Sequence, residues 1–235
     1  MPERHKIVSH DKWLEARRKF LLKERAFTRL RDRLSAQRRA LPWERVDKKY
    51  VFDGPDGKET LAELFEGRHQ LVVYHFMFPP EWDAGCPNCS FWADNFDDNI
   101  VHLAHRDVTL VAVSRAPYRK LAAYKKRMSW GFKWLSSFGN DFNFDYQASF
   151  RPDALSKGRA FYNFKIQNPG VSDREGVSVF YEAKGAVFHT YSAYARGIDM
   201  LNTAYHYLDL VPKGRDEAGH DFKQFWVRRH DEYGR

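Results

Sequence analysis

The spacing of apolar positions changes several times along the chain, and each change marks an element. Between residues 12 and 39, Trp13, Phe20, Phe27 and Leu34 recur every seven residues, with Leu14, Leu21 and Leu30 beside them. One apolar stripe on a charged rod predicts a long helix. Ser9 or Asp11 can cap its start, and Pro42 lies just past its end. From about residue 46 the pattern shortens. VDKKYVFDGPDGKETLAELF predicts a strand, a turn at Gly54-Pro55-Asp56-Gly57 and a short helix opening at Thr60. QLVVYHFMF (70–78) is a continuous apolar run of strand length, suited to a strand covered on both faces. CSFWADNFDDNIVHLAHR predicts one helix, with Phe91, Phe96, Ile100 and Leu103 inward. DVTLVAVS (107–114) predicts a second buried strand, and YRKLAAYKKRM (118–128), behind Pro117, a second helix. Strand, helix, strand, helix is the sign of a parallel βαβ core.

Residues 129–172 lack a clear period and are rich in rings: Trp130, Phe132, Trp134, Phe138, Phe142, Phe144 and Tyr146. Most are expected in the core and a few in the wall of a pocket. GVSVFYEAKGAVFHTY (176–191) predicts a hairpin turning at Lys184-Gly185, and MLNTAYHYLDL (200–210) a closing helix. Beyond Lys213 the chain is polar and expected to pack loosely, with FKQFWV as the piece that docks. The expected organisation is a basic amphipathic helix over 1–45, an α/β domain over 46–212 and a polar tail over 213–235.

Composition narrows the class. Of 235 residues, 43% are apolar and 30% charged, as in a soluble globular chain. No apolar run is long enough to span a bilayer. The opening MPERHKIVSHDKW has no apolar stretch followed by a small-residue cleavage site, so a cytoplasmic location is expected. The net charge of +8 belongs to one element, since residues 12–39 carry eleven Lys and Arg against three acids. That places the charge on a solvated helix face, and with no base-reading motif beside it, nucleic acid is not the expected partner. The apolar stripe must lie on the main domain or on a second subunit, which makes a homodimer through this helix an expectation. Neither GxGxxG nor GxxxxGK[ST] occurs, so no nucleotide cofactor is expected.

Both cysteines fall in EWDAGCPNCSFW (81–92), where a buried strand hands over to a helix. In open α/β sheets that junction, at the carboxyl end of the strand, is where sites lie. Pro87 suits the first helical position. Cys86 then sits at the cap, facing free backbone N–H groups that favour a thiolate. Cys89 lies one turn further in, within disulfide reach and better shielded. Cys86 is therefore the expected attacking sulfur and Cys89 the resolving one. Trp82 and Asp83 are expected to cover and tune the site, and His75, from its strand, and His189, from the expected hairpin, are expected to lie near the sulfurs. The same spacing is half of a zinc site, and His75 with His189 would complete a Cys86, Cys89, His75, His189 set for zinc or copper. Two packed, inert thiols are the third reading.

The order of a strand, C-P-N-C at a helix start, a second βα unit and a hairpin resembles the thioredoxin fold. Beyond that, HFMFPPEWDAGCPNCSFWADNF, VAVSRAP, RMSWGFKWLSS, DFNFDY, FHTYSAYARG, LDLVPKGRDE and RRALPWERVDKKYVFDGPDG resemble the bacterial DUF899 family over almost the whole chain. That resemblance implies a thioredoxin-like α/β sheet with flanking helices and an N-terminal helical extension. It also implies dithiol–disulfide oxidoreductase activity, with a separate dithiol as electron donor and a disulfide or peroxide as substrate. Thioredoxins place a cis-proline before the late strand, facing the disulfide; Val177 stands about there instead. Peroxiredoxins are similar more weakly. Pro79 stands at their spacing before Cys86, but Asp83 occupies the hydroxyl position, and their activating arginine has only Arg174 nearby.

Overall fold

The computed structural model describes residues 5–234. The chain divides into two compact units between Pro42 and Trp43. The first unit holds α1 (His10–Arg39), which follows Ser9 at its N-cap and buries none of its residues. The seven-residue stripe is half-exposed or more along its length, from Trp13 to Leu34. No helix among the described residues is long and apolar enough to cross a membrane.

The second unit is built on an eight-stranded mixed sheet. Its elements in chain order are β1 (Glu44–Arg45), β2 (Val51–Gly54), β3 (Gly57–Thr60), β4 (Gln70–His75), α2 (Pro87–Ala93), α3 (Asp97–His105), β5 (Val108–Ser114), α4 (Tyr118–Arg127) and β6 (Lys133–Ser136). They continue with α5 (Phe142–Asp145), α6 (Pro152–Ser156), β7 (Ala160–Tyr162), β8 (Lys165–Gln167), β9 (Gly176–Ala183), β10 (Ala186–Tyr194) and α7 (Thr203–Leu208). The strand order is β1-β10-β9-β4-β5-β6-β2-β3, with β7 and β8 forming a separate hairpin. β4 and β5 run parallel, β5 and β6 run parallel, and β9 lies antiparallel to β4. Two parallel strands joined through helices, followed by an antiparallel hairpin on the far side of the first strand, make a thioredoxin-like sheet.

β4 sits at its centre, and side-chain alternation along it divides the core. Tyr74, followed by Phe76, packs on the face that holds Trp92, Leu121, Tyr124 and Trp134. Leu71 and Val73 pack on the opposite face with Phe52, Leu64, Phe142 and Phe180. The late hairpin closes as expected at Lys184 and Gly185, both in left-handed conformations (φ 53° and 77°), the backbone of a tight two-residue turn.

Three elements differ from the sequence expectation. GKET forms a strand, because the Gly54–Gly57 turn closes a hairpin, and the helix expected at Thr60 shrinks to one 3₁₀ turn at Glu63–Phe65. The helix expected after the cysteines is two helices. The Asn95 side-chain amide donates to the carbonyls of Phe91 and Trp92 at the end of α2, and Asp97 turns its carboxylate to the N–H groups of Gly131 and Phe132. The aromatic region 129–172 contributes the short parallel strand β6, with Trp130, Phe132, Trp134 and Phe142 buried. The polar C-terminal segment belongs to the second unit. Val227 is buried, Arg127 pairs with Asp231 and Glu232, and His230 pairs with Asp94.

Candidate active site

Past its last paired residue, β4 keeps its direction for one more bond, from the Phe76 N–H to the Val113 carbonyl. The chain then loops out and returns when the Cys86 N–H donates to the Met77 carbonyl at 3.1 Å. Pro87 starts α2 where an N–H is not needed, with Cys86 at the N-cap. Gly85 has no room for a side chain. A Cβ there would stand 2.8 Å from the Phe76 ring and 2.9 Å from the Tyr124 ring. The Ser90 hydroxyl donates to the Cys86 carbonyl at 2.9 Å and lies 2.9 Å from the Tyr124 hydroxyl. Arg229, from the C-terminal segment, donates to the Tyr124 hydroxyl at 2.7 Å and to the Gly85 carbonyl at 2.8 Å. The backbone that carries Cys86 is thus held from the strand, from α4 and from the end of the chain.

The two thiols are unpaired and differ in setting. Cys86 keeps 7% of its surface exposed and Cys89 1%. The Met77 N–H donates to the Cys89 sulfur at 3.4 Å. Hydrogen bonding from the Cys89 thiol holds the Cys86 pKa below its ordinary value; burial opposes this, and the backbone N–H groups of Cys89 and Asn88 reinforce it. Cys89 moves the other way. Burial pushes its pKa well up, and its bond to Cys86 adds to the shift. One sulfur is therefore disposed to be a thiolate and its neighbour a thiol.

Both cysteines open onto a cleft of about 780 Å³ that Tyr74, Glu175 and Tyr205 also line. Glu175 immediately precedes β9, and pairing of β9 with β4 brings it to the cysteines. Burial raises the Glu175 pKa, opposed by its own backbone N–H, by Arg174 and by the Tyr162 hydroxyl. Its negative charge in turn raises the pKa of both cysteines. The Tyr74 hydroxyl is buried with no close hydrogen-bond partner, and its electrostatic neighbours are Cys89, Glu175 and Cys86.

Of the sequence-predicted residues, Val177 shares the core cluster of Cys86 and Cys89, and Trp82 packs against that cluster. Pro87 opens α2, while Asp83 is exposed. The two histidines lie elsewhere. His75 is one residue on from Tyr74, so alternation turns it to the opposite face, where its ring packs on Phe142 and Tyr146. His189 packs on Tyr146 and Phe180. A buried chain of hydrogen bonds joins them, from His75 Nε2 to Ser178 Oγ, to Ser192 Oγ, to His189 Nε2, each between 2.8 and 2.9 Å. The expectation that His75 and His189 neighbour the sulfurs is corrected by this placement. The alternative metal set of Cys86, Cys89, His75 and His189 is split across the sheet, and the described residues hold no metal-binding cluster of three such side chains. At the late strand, no cis peptide bond occurs among the described residues, and Val177 pairs in register with Tyr74. None of the rings between 129 and 146 lines the cleft; its rings are Tyr74, Trp92, Tyr205 and Phe222. Sequence reasoning missed Glu175, Tyr74 and Arg229.

Among solved structures, peroxiredoxin Q from Xanthomonas campestris is 12% identical, with a TM-score of 0.48 over 74% of this chain and 99% of that one. Peroxidoxin BcpB from Mycobacterium tuberculosis is 16% identical, with a TM-score of 0.44 over 69% and 94%. Thioredoxin peroxidase I from Plasmodium yoelii is 14% identical, with a TM-score of 0.44 over 72% and 92%. No curated protein matches the sequence. The model of the family described as "Bacterial protein of unknown function (DUF899)" matches residues 2–233, and the chain belongs to that family.

Proposed function

We propose that this protein is a thiol–disulfide oxidoreductase in which Cys86 attacks and Cys89 resolves. The observation that carries this reading is the placement of two free thiols on one cleft, Cys86 at the N-cap of α2 and the more exposed, Cys89 one turn further in and buried; the same setting lowers the pKa of Cys86 and raises that of Cys89. Cys86 Sγ attacks one sulfur of a substrate disulfide. The substrate S–S bond breaks, one half leaves as a thiolate, and the other stays bound to Cys86. Cys89 then gives its proton to the Glu175 carboxylate and attacks Cys86 Sγ. The second half of the substrate leaves as a thiolate and takes up a proton. Two electrons pass from the dithiol to the substrate, leaving a Cys86–Cys89 disulfide that a separate dithiol donor reduces. A carboxylate whose pKa is raised by burial is a better base near neutrality than an exposed one, which suits Glu175 to the proton transfer.

A peroxide would use the same pair, through a sulfenic acid on Cys86 that condenses with Cys89 and releases water. The groups that favour the Cys86 thiolate are a thiol and backbone N–H groups, rather than the hydroxyl and arginine that a likeness to peroxiredoxins implies. Disulfide exchange is therefore the first reading. Exposure of the reduced protein to a small disulfide tests it. Cys89→Ser should accumulate a mixed disulfide on Cys86, Cys86→Ser should accumulate none, and the native protein should pass to an internal disulfide. Equal adducts on both variants, or none on either, would remove the proposal.

A further inference from the structure

We propose that the cleft over Cys86 takes a low-molecular-weight disulfide bearing both carboxylate and ammonium groups, of the amino-acid or short-peptide type, and turns away disulfides set in folded proteins. This rests on the redox reading above and names its substrate class. Access to the sulfur is narrow. Attack on a disulfide needs the incoming S–S bond in line with the thiolate, so both halves of the substrate must enter. Cys86 is only 7% exposed and Cys89 1%. The cleft of about 780 Å³ falls in the range of small-molecule sites, roughly 300–1,000 Å³. Its outer wall is the stretch from Lys213 to Gln224. Glu217 ties that wall down, accepting from the Tyr205 hydroxyl at 3.0 Å and from the Trp226 indole N–H at 2.8 Å. A folded partner would have to displace this wall to bring a disulfide to the sulfur.

Charge around the opening points the same way. Arg174, Lys213 and Lys223 line the cleft, and among the described residues none of them forms an ion pair; Arg174 donates to the Pro169 carbonyl and Lys223 to the Glu217 carbonyl. Asp216, Glu217 and Asp221 line it as well, and no cation forms an ion pair with any of them among the described residues, while Glu175 lies within the field of Arg174. Arg196 and Arg215, by contrast, are paired, Arg196 with Asp199 and Arg215 with Asp199 and Asp209. Unpaired charges of both signs around one opening suit a zwitterion, whose carboxylates take the cations and whose ammonium takes the acids.

The test follows closure of the Cys86–Cys89 disulfide in the reduced, full-length protein, by acid quench, alkylation and mass. Oxidised glutathione, hydroxyethyl disulfide and insulin are compared at equal disulfide concentration, with diamide as a general thiol oxidant. Oxidised glutathione should close the pair at least tenfold faster than the uncharged hydroxyethyl disulfide and tenfold faster than insulin. The double variant Lys213→Glu, Lys223→Glu changes only exposed side chains and should lower the ratio of the glutathione rate to the hydroxyethyl disulfide rate several-fold. Insulin reacting as fast as oxidised glutathione, or equal rates for the charged and uncharged small disulfides, would overturn the inference. Either of those outcomes would leave the redox reading standing, because the pair would still have closed against a disulfide; closure by diamide with none by any of the three disulfides would overturn both. Failure of diamide to close the pair would sink the redox reading itself.

Discussion

On the proposed reading Glu175 plays two opposed roles at the sulfurs. As a charge alone it hinders both, because it raises the pKa of Cys86 and of Cys89. As a proton acceptor it helps the second step. Glu175→Gln separates these roles. Losing the charge should move the pH midpoint of Cys86 alkylation downward. Losing the acceptor should slow closure of the mixed disulfide by about 10²-fold and flatten the acid side of its pH profile. If both steps became faster, Glu175 would be only an unfavourable charge. The cysteines were legible in the sequence because C-P-N-C carries its chemistry in its own spacing. Glu175 was not, because only the pairing of β9 with β4 brings it there, and no motif surrounds it in the sequence.

At the level of elements, β4 shows what alternation can and cannot give. A period of two puts His75 opposite Tyr74 from the sequence alone, but nothing in QLVVYHFMF says which face the cysteines will take. The loop back to Met77 decides that. On its own face His75 is fully buried, and desolvation holds its pKa at about 3 against an ordinary 6.5. Between those values the unfolded chain binds the proton and the folded chain does not. Stability should therefore fall as pH drops through the ordinary value. From pH 7 to pH 5 this one group should remove about 2 kcal/mol of stability. Urea unfolding at both pH values should show that loss in the native protein and its absence in His75→Gln, over and above any change common to both. Equal losses would mean that His75 is protonated in the fold. The split between α2 and α3 was hidden for a related reason. Asn95 is a plausible helix residue until its amide is seen to take the carbonyls of the preceding turn.

In the α/β unit as a whole, segments far apart in sequence converge on the cysteines: the end of β4 with α2, the approach to β9, and the polar C-terminal stretch. The βαβ core and the late hairpin were legible, because long apolar runs and a Lys-Gly turn state themselves locally. The docking of the C-terminal stretch was legible only at FKQFWV, where Trp226 packs against the core and Val227 is buried. Elsewhere it rests on charged pairs such as Arg127 with Asp231 and on Arg229 against Tyr124 and Gly85, and a polar sequence does not name its partners. The cleft exists because that stretch covers the cysteines, so its walls come from parts of the chain that no single motif contains.

On the proposed reading Cys86 and Cys89 act as one two-electron couple. Equilibration of the full-length protein across a series of reduced-to-oxidised glutathione ratios, followed by alkylation and mass, tests this. A single all-or-none transition is expected, from a species alkylated on both cysteines to one alkylated on neither and two hydrogens lighter than the free dithiol, reversed by excess dithiol. Two cysteines that take up glutathione independently, or that stay reduced across the whole series, would contradict it.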